Sequence, residues 1–145
     1  MQVSKIMNSN VVYLSPDDTA ASAAKLLMRH NIGALPICSR DGRLRGLVTD
    51  RDITLRCIAL DNPPEETKLR EIMTRGVVCI SPHEEISDAI QLISSEQIFR
   101  LPVVENGRIV GMLSLSDLLL RGNCKNEISE ALCEIYLHDR RFNKK

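Results

Sequence analysis

The chain contains its own repeat, and this restricts its possible folds more than any other feature. Residues 3–38 align on 69–104 with a shift of 66, and 42–56 align on 107–121 with a shift of 65. The first block carries eleven identities: Ile6/Ile72, Met7/Met73, Val11/Val77, Val12/Val78, Ser15/Ser81, Pro16/Pro82, Ala23/Ala89, Leu26/Leu92, Ile32/Ile98, Leu35/Leu101 and Pro36/Pro102. The second block matches at Gly42/Gly107, Arg43/Arg108, Gly46/Gly111, Asp52/Asp117 and Arg56/Arg121. A repeat of this length means two copies of one supersecondary unit, each completing the other's core. At about 55 residues a copy buries too little surface to be stable alone, so the two are expected to pack face to face as one domain with pseudo-two-fold symmetry. The expected organisation is unit one over 1–60, a linker over 61–68, unit two over 69–122, and a tail over 123–145.

Within each copy the pattern predicts β-α-β-β-α, an α/β (α+β) class. A short β-prone run, Val11 to Leu14 or Val77 to Ile80, is stopped by Ser-Pro. Ser15 and Ser81 then read as helix N-caps with proline at the first helical position. Apolar residues recur at Ala20, Ala23, Ala24, Leu27 and Met28, and at Ile86, Ala89, Ile90 and Ile93, which predicts helices near 17–31 and 83–97. Strands carrying a proline follow, Ala34 to Cys38 and Arg100 to Val104, with the proline suggesting an edge or strand-start position. Arg40-Asp41-Gly42 and Glu105-Asn106-Gly107 have the chemistry of tight hairpin turns. The returning strands, Leu44 to Val48 and Ile109 to Leu113, lead into a second helix. Asp61 to Glu66, with Pro63 and Pro64, is the clear linker.

The most distinctive copy-to-copy match is the junction of that last strand and helix. Gly46-Leu47-Val48-Thr49-Asp50-Arg51-Asp52 is repeated in form as Gly111-Met112-Leu113-Ser114-Leu115-Ser116-Asp117. A hydroxyl residue followed three positions later by a carboxylate is a capping box, in which each side chain accepts from the other residue's backbone N–H. The same helix start offers free N–H groups to an anion. Both roles, cap and ligand site, fit these residues.

The remaining composition excludes more than it assigns. Lysine plus arginine and aspartate plus glutamate each total 19, so the net charge is zero and no basic bias points to nucleic acid or an anionic membrane. No apolar run approaches the roughly 20 residues of a membrane span, and the amino terminus lacks a secretory layout, so a cytoplasmic protein is expected. The five cysteines, at 38, 57, 79, 124 and 133, have neither metal-ligand nor disulfide spacing and read as small hydrophobes. His30, His83 and His138 are scattered. No nucleophile with an adjacent base, no phosphate loop and no paired catalytic acids appear, so neither catalysis nor a metal is expected. Past the repeat, Ile128, Ala131, Leu132, Ile135 and Tyr136 trace a helical stripe that either packs on its own domain or extends a dimer interface. The basic Arg140, Arg141, Lys144 and Lys145 suit a helix C-terminus.

The element order, the h-P-h strand and the G-h-x-[TS]-x-x-D junction, each present twice, resemble a tandem pair of cystathionine-β-synthase (CBS) domains, a Bateman module, over residues 3–121. The layout is similar to that of small stand-alone bacterial CBS-pair proteins, and the second junction is similar to that of AMP-activated kinase gamma subunits. The resemblance implies a regulatory module whose clefts bind adenosyl ligands: AMP, ADP, ATP or S-adenosylmethionine. It implies that Asp52 and Asp117 accept from the ribose hydroxyls, a task for an ionised carboxylate facing two adjacent donors. Phosphate would meet Thr49, Arg51, Arg100, Ser114 and Ser116. Adenine would lie against Ser4, Ile6, Ile32, Gly33, Ala34, Leu35 and Pro36 around the Asp117 site. Around the Asp52 site it would lie against Arg70, Ile72, Ile98, Phe99 and Leu101 together with Arg100. Arg51 stands where the other copy has Ser116, and Ala34 where it has Arg100, so the two sites are chemically unequal. A homodimer acting on an unidentified enzyme or transporter is the implied assembly. The alternative is a ligand-free structural module whose motifs only cap helices. An enzyme, by analogy with the IMP dehydrogenases that carry such pairs, lacks the length for a catalytic barrel.

Overall fold

A computed structural model describes residues 1–139. The elements in chain order are α1 (Ala20–His30), β1 (Ala34–Cys38), β2 (Leu44–Thr49), α2 (Asp50–Arg56), α3 (Leu69–Ile72), α4 (Ile86–Glu96), β3 (Arg100–Glu105), β4 (Arg108–Ser114), α5 (Leu115–Arg121) and α6 (Lys125–Leu137). The class is α+β, with β1 paired to β2 and β3 paired to β4 as small antiparallel sheets.

The chain divides into two compact units, and the division does not follow the repeat boundary. Among the described residues one unit holds Met1–Val11, Val78–Asn106 and 110–139; the other holds Val12–Val77 and Gly107–Ile109. The residues leading into each copy therefore join the body of the other copy. In the unit containing α5, Asn8 and Met112 exchange backbone bonds of 2.8 and 2.9 Å. In the unit containing α2, Leu47 and Thr74 do the same at 3.0 and 2.9 Å. Each unit has its own apolar core. Ala20, Ala23, Leu27, Leu35, Ile37, Val48, Leu69 and Ile72 form one. Val3, Ile6, Ile93, Leu101, Val103, Leu113, Leu118 and Ile128 lie in the other.

This lead-in pairing accounts for the motif glycines. A Cβ on Gly46 would stand 2.8 Å from both the Met73 sulfur and the Thr74 carbonyl oxygen, and one on Gly111 would stand 2.5 Å from the Met7 sulfur. The backbone of the strand is pressed against the lead-in segment at the one place where a side chain would hold it off.

The first strand of each copy is reduced to one residue. Leu14 N–H donates to the Pro36 carbonyl and the Leu14 carbonyl accepts from Cys38 N–H; Ile80 relates to Pro102 and Val104 in the same way. Proline supplies no N–H on that side of the strand, so a second rung has no donor there. The hairpin turns form as expected, with Gly42 at φ +83° and Asn106-Gly107 both left-handed, at φ 54° and 80°.

The helices begin later than their Ser-Pro signals suggest. Ser15 N–H donates to Asp18 Oδ2 at 2.7 Å, and Asp17 N–H donates to the Ser15 hydroxyl at 3.2 Å, closing a separate turn. Thr19 is then the N-cap, accepting from Ser22 N–H at 3.2 Å. The second copy repeats the device: Ser81 N–H donates to Glu84, and Glu85 caps α4 with Asp88. Ala20, Ala23 and Leu27 are buried, but Ala24 is exposed and Met28 is 78% exposed, a correction to the expected face. The linker is held in place, since Ala20 and Ala21 N–H donate to Thr67 and Pro64, and the Thr67 hydroxyl donates to Pro63.

Helix α6 buries Ile128, Ala131 and Ile135 in the core of its own unit, with Leu132 partly buried. Tyr136 is 41% exposed. Arg140, Arg141, Lys144 and Lys145 lie outside the described residues.

Replacing Gly46 with alanine forces Met73 or the Thr74 backbone to move, so Gly46→Ala is expected to lower unfolding free energy by about 1–3 kcal/mol. Urea denaturation checks this; an unchanged midpoint refutes the close-approach explanation.

Candidate functional site

The two strand-to-helix junctions are built alike. At β2–α2 the Asp52 carboxylate accepts from Thr49 N–H at 2.9 Å, and the Thr49 hydroxyl accepts from Asp52 N–H at 3.0 Å. At β4–α5 the Asp117 carboxylate accepts from Ser114 N–H at 2.9 Å, and the Ser114 hydroxyl accepts from Asp117 N–H at 3.2 Å. Both capping boxes are complete. In each case the bond from the cap N–H falls on Oδ2. The Asp52 side chain is 14% exposed and so combines a fixed position with access to solvent.

The start of each proline-bearing strand is tied to the same junction. Asp50 N–H donates to the Gly33 carbonyl and Leu115 N–H donates to the Phe99 carbonyl, both at 3.1 Å. Ala34 is the cross-strand partner of Thr49. The expected grouping set Ile32 to Pro36 around Asp117 and Ile98 to Leu101 around Asp52. The structure places Ile32, Gly33, Ala34, Leu35 and Pro36 in the unit of Asp52, and Ile98, Phe99, Arg100 and Leu101 in the unit of Asp117. Ser4 and Ile6 are in the unit of Asp117, and Arg70 and Ile72 in that of Asp52.

These residues differ in accessibility. Ala34, Leu35, Pro36, Leu101, Ile6 and Ile72 are buried, whereas Ser4, Arg51, Arg70 and Ser116 are exposed. Gly33, Ile98 and Arg100 are half-buried. Ile32 and Phe99 are each 37% exposed, large apolar surfaces left open beside the junctions. Arg70 is engaged by Asp17. The Ser116 hydroxyl lies 2.7 Å from that of Ser114.

Two features were not singled out as site residues from sequence. Arg56 and Arg121 donate to the lead-in carbonyls of Ile72 and Ile6, at 3.0 and 3.4 Å. Their identity in the repeat was the available signal. Tyr136 of α6 packs its ring 6.1 Å from that of Phe99, a pairing that no local pattern announces.

Cys38, Cys57 and Cys124 are buried, and burial pushes the Cys38 thiol up to about 11. Burial first, then Glu127, raises the Cys124 thiol. Cys79 and Cys133 are free and exposed. Among the described residues no group of three or more His, Cys, Asp or Glu could hold a metal ion, and no helix is long and apolar enough to cross a membrane.

The CBS domain family model matches residues 3–58 and 69–122. The chain belongs to the CBS-domain family, and carries the domain twice. It is 36% identical over 133 residues to the CBS domain-containing protein YhcV of Bacillus subtilis, spanning 92% of this chain and 94% of that one. The CBS-domain protein TA0289 of Thermoplasma acidophilum is similar in structure, with a TM-score of 0.80 and 28% identity over 92% of this chain and 75% of that one. So is the CBS domain pair of MJ0100, solved with 5′-methylthioadenosine and S-adenosyl-L-methionine, with a TM-score of 0.76 and 28% identity over 87% and 98% of the two chains.

Thr49→Ala and Ser114→Ala are each expected to cost about 1 kcal/mol of stability, measured by urea unfolding. Iodoacetamide followed by mass spectrometry is expected to modify Cys79 and Cys133 well before Cys38, Cys57 and Cys124. Folding raises the Cys38 thiol from 9.0 to about 11, so its contribution to stability is full below pH 9 and is lost as pH climbs through 11. Unfolding measured across that window checks the sign.

Proposed function

We propose that this chain is a non-catalytic cytoplasmic regulatory module that binds adenosyl ligands, AMP, ADP, ATP or S-adenosylmethionine, with Asp52 and Asp117 accepting from the ribose hydroxyls. The observation that carries this reading is the state of the two carboxylates. Each is held by its cap through Oδ2 and stands next to the start of a proline-bearing strand. A fixed, ionised acceptor suits a cis-diol, which presents two donors side by side. The adenosyl ligands of MJ0100 support the same ligand class.

Thr49, Arg51, Arg100, Ser114 and Ser116 would meet phosphate or its replacement. Apolar packing by Ile6, Ile32, Ala34, Leu35, Pro36, Ile72, Ile98, Phe99 and Leu101 would hold the base, with backbone contacts from Ser4, Gly33 and Arg70. Binding regulates if two conformations differ in affinity, since the ligand shifts the population toward the one it prefers. A homodimer reporting to a separate enzyme or transporter is the assembly that fits this role. The completed capping boxes favour one rival, a ligand-free module in which both motifs serve only as helix starts.

Calorimetric titration with AMP, ADP, ATP and S-adenosylmethionine separates the two. Asp52→Asn and Asp117→Asn keep an oxygen for the cap and remove the charge. The proposal expects micromolar or tighter binding to the wild-type protein, lost in at least one variant. Absence of binding by all four ligands, with both variants merely less stable in urea, establishes the rival.

A further inference from the structure

Arg56 and Arg121 occupy the same position in the repeat, four residues after each motif aspartate. Both reach back to a lead-in carbonyl, but beyond that bond they diverge. Arg56 Nε lies 3.7 Å from Asp52 Oδ1. Among the described residues no cation forms the corresponding pair with Asp117. There the Ser114 hydroxyl donates to Asp117 Oδ2 at 2.9 Å and lies 2.7 Å from the Ser116 hydroxyl. At the first junction Arg51 stands in place of Ser116, and the Thr49 hydroxyl accepts from Asp52 N–H.

A carboxylate held at one oxygen can still rotate about its Cβ–Cγ bond. A guanidinium 3.7 Å from the second oxygen, outside hydrogen-bond reach, favours by its charge the rotamers that keep that oxygen on its side. Arg56 is suited to this because its Nη1 is itself held by Ile72, 3.0 Å away. Its side chain is 52% exposed, so water screens the pair and the effect is modest.

Resting on the ribose reading of the aspartates, we propose that Arg56 is a positioning residue for diol recognition by Asp52. Asp117 has no corresponding partner among the described residues, since the Ser114 N–H and hydroxyl both fall on its Oδ2. Discrimination between ribose and 2′-deoxyribose thus depends on an arginine in the Asp52 unit alone.

The test uses the full chain carrying Asp117→Asn, so that Asp52 is read alone, titrated with AMP and with 2′-deoxy-AMP. Adding Arg56→Gln is expected to weaken AMP about two- to fivefold and the deoxy analogue, which keeps only the 3′-hydroxyl, by less, so that the ratio of affinities shrinks. Arg56→Lys, which keeps the charge but loses the Nη1 anchor on Ile72, is expected to fall between the wild-type and glutamine chains and guards against a fault particular to that substitution. Arg121→Gln in the Asp52→Asn chain leaves its ratio unchanged. Parallel weakening of both nucleotides, or an unchanged ratio in the Arg56 variants, overturns the proposal, because a merely structural arginine cannot distinguish a 2′-hydroxyl. If the wild-type protein binds AMP and the Asp117→Asn chain does not, Asp52 is no diol acceptor; this inference then falls while the ligand reading stands through Asp117. If the wild-type chain binds no adenosyl ligand, the ligand reading falls, and this inference with it.

Discussion

Everything at the two junctions depends on a backbone contact that involves few side-chain atoms: the lead-in segment of one copy hydrogen-bonded to the motif strand of the other. The Asn8–Met112 and Leu47–Thr74 exchanges bring Met7 and Met73 against Gly111 and Gly46, where no side chain fits. The same contact sets the carbonyls of Ile6 and Ile72 within reach of Arg121 and Arg56. It also places Val3 and Ile6 in one core and Leu69, Ile72 and Met73 in the other. Because each copy lends its lead-in to the other, neither repeat taken as a stretch of sequence contains a complete core. The stability of each unit therefore depends on chain from both.

A helix start needs its first N–H groups satisfied, and the threonine or serine with its aspartate does this locally. The cap occupies one carboxylate oxygen and leaves the other for the diol of the proposed ligand. The copies are alike in their caps and unlike in their surroundings, since Arg56 stands by Asp52 while hydroxyls accompany Asp117.

Much of this was legible in the residues. The repeat is read directly by self-alignment, and the hairpin turns at Gly42 and Asn106-Gly107 and the Thr49–Asp52 and Ser114–Asp117 boxes rest on local chemistry at short spacing, where a residue's partners lie within a few positions. Where local signals competed, the pattern misled. Ser15 and Ser81 carry every mark of an N-cap, yet each closes a turn of its own, and the helix starts at the next competent residue. The Val11–Leu14 and Val77–Ile80 runs have strand propensity, but a strand needs a partner with donors, and Pro36 and Pro102 provide none beyond one rung. Cys79 sits in an apolar run and is nonetheless exposed, because a single-rung bridge does not cover both faces.

The sequence by itself determined that the chain carries one unit twice, where its hairpins turn, and which carboxylates stand at the start of each copy's last helix: the repeat is read directly, and the rest follows from interactions between residues a few positions apart. Only the tertiary structure decided which stretches of chain share a core, which aspartate faces an arginine, and that Tyr136 of α6 packs on Phe99. Those pairings join residues tens of positions apart or select one rotamer among several. They are set by which surfaces close-pack, a property that spacing along the chain does not encode.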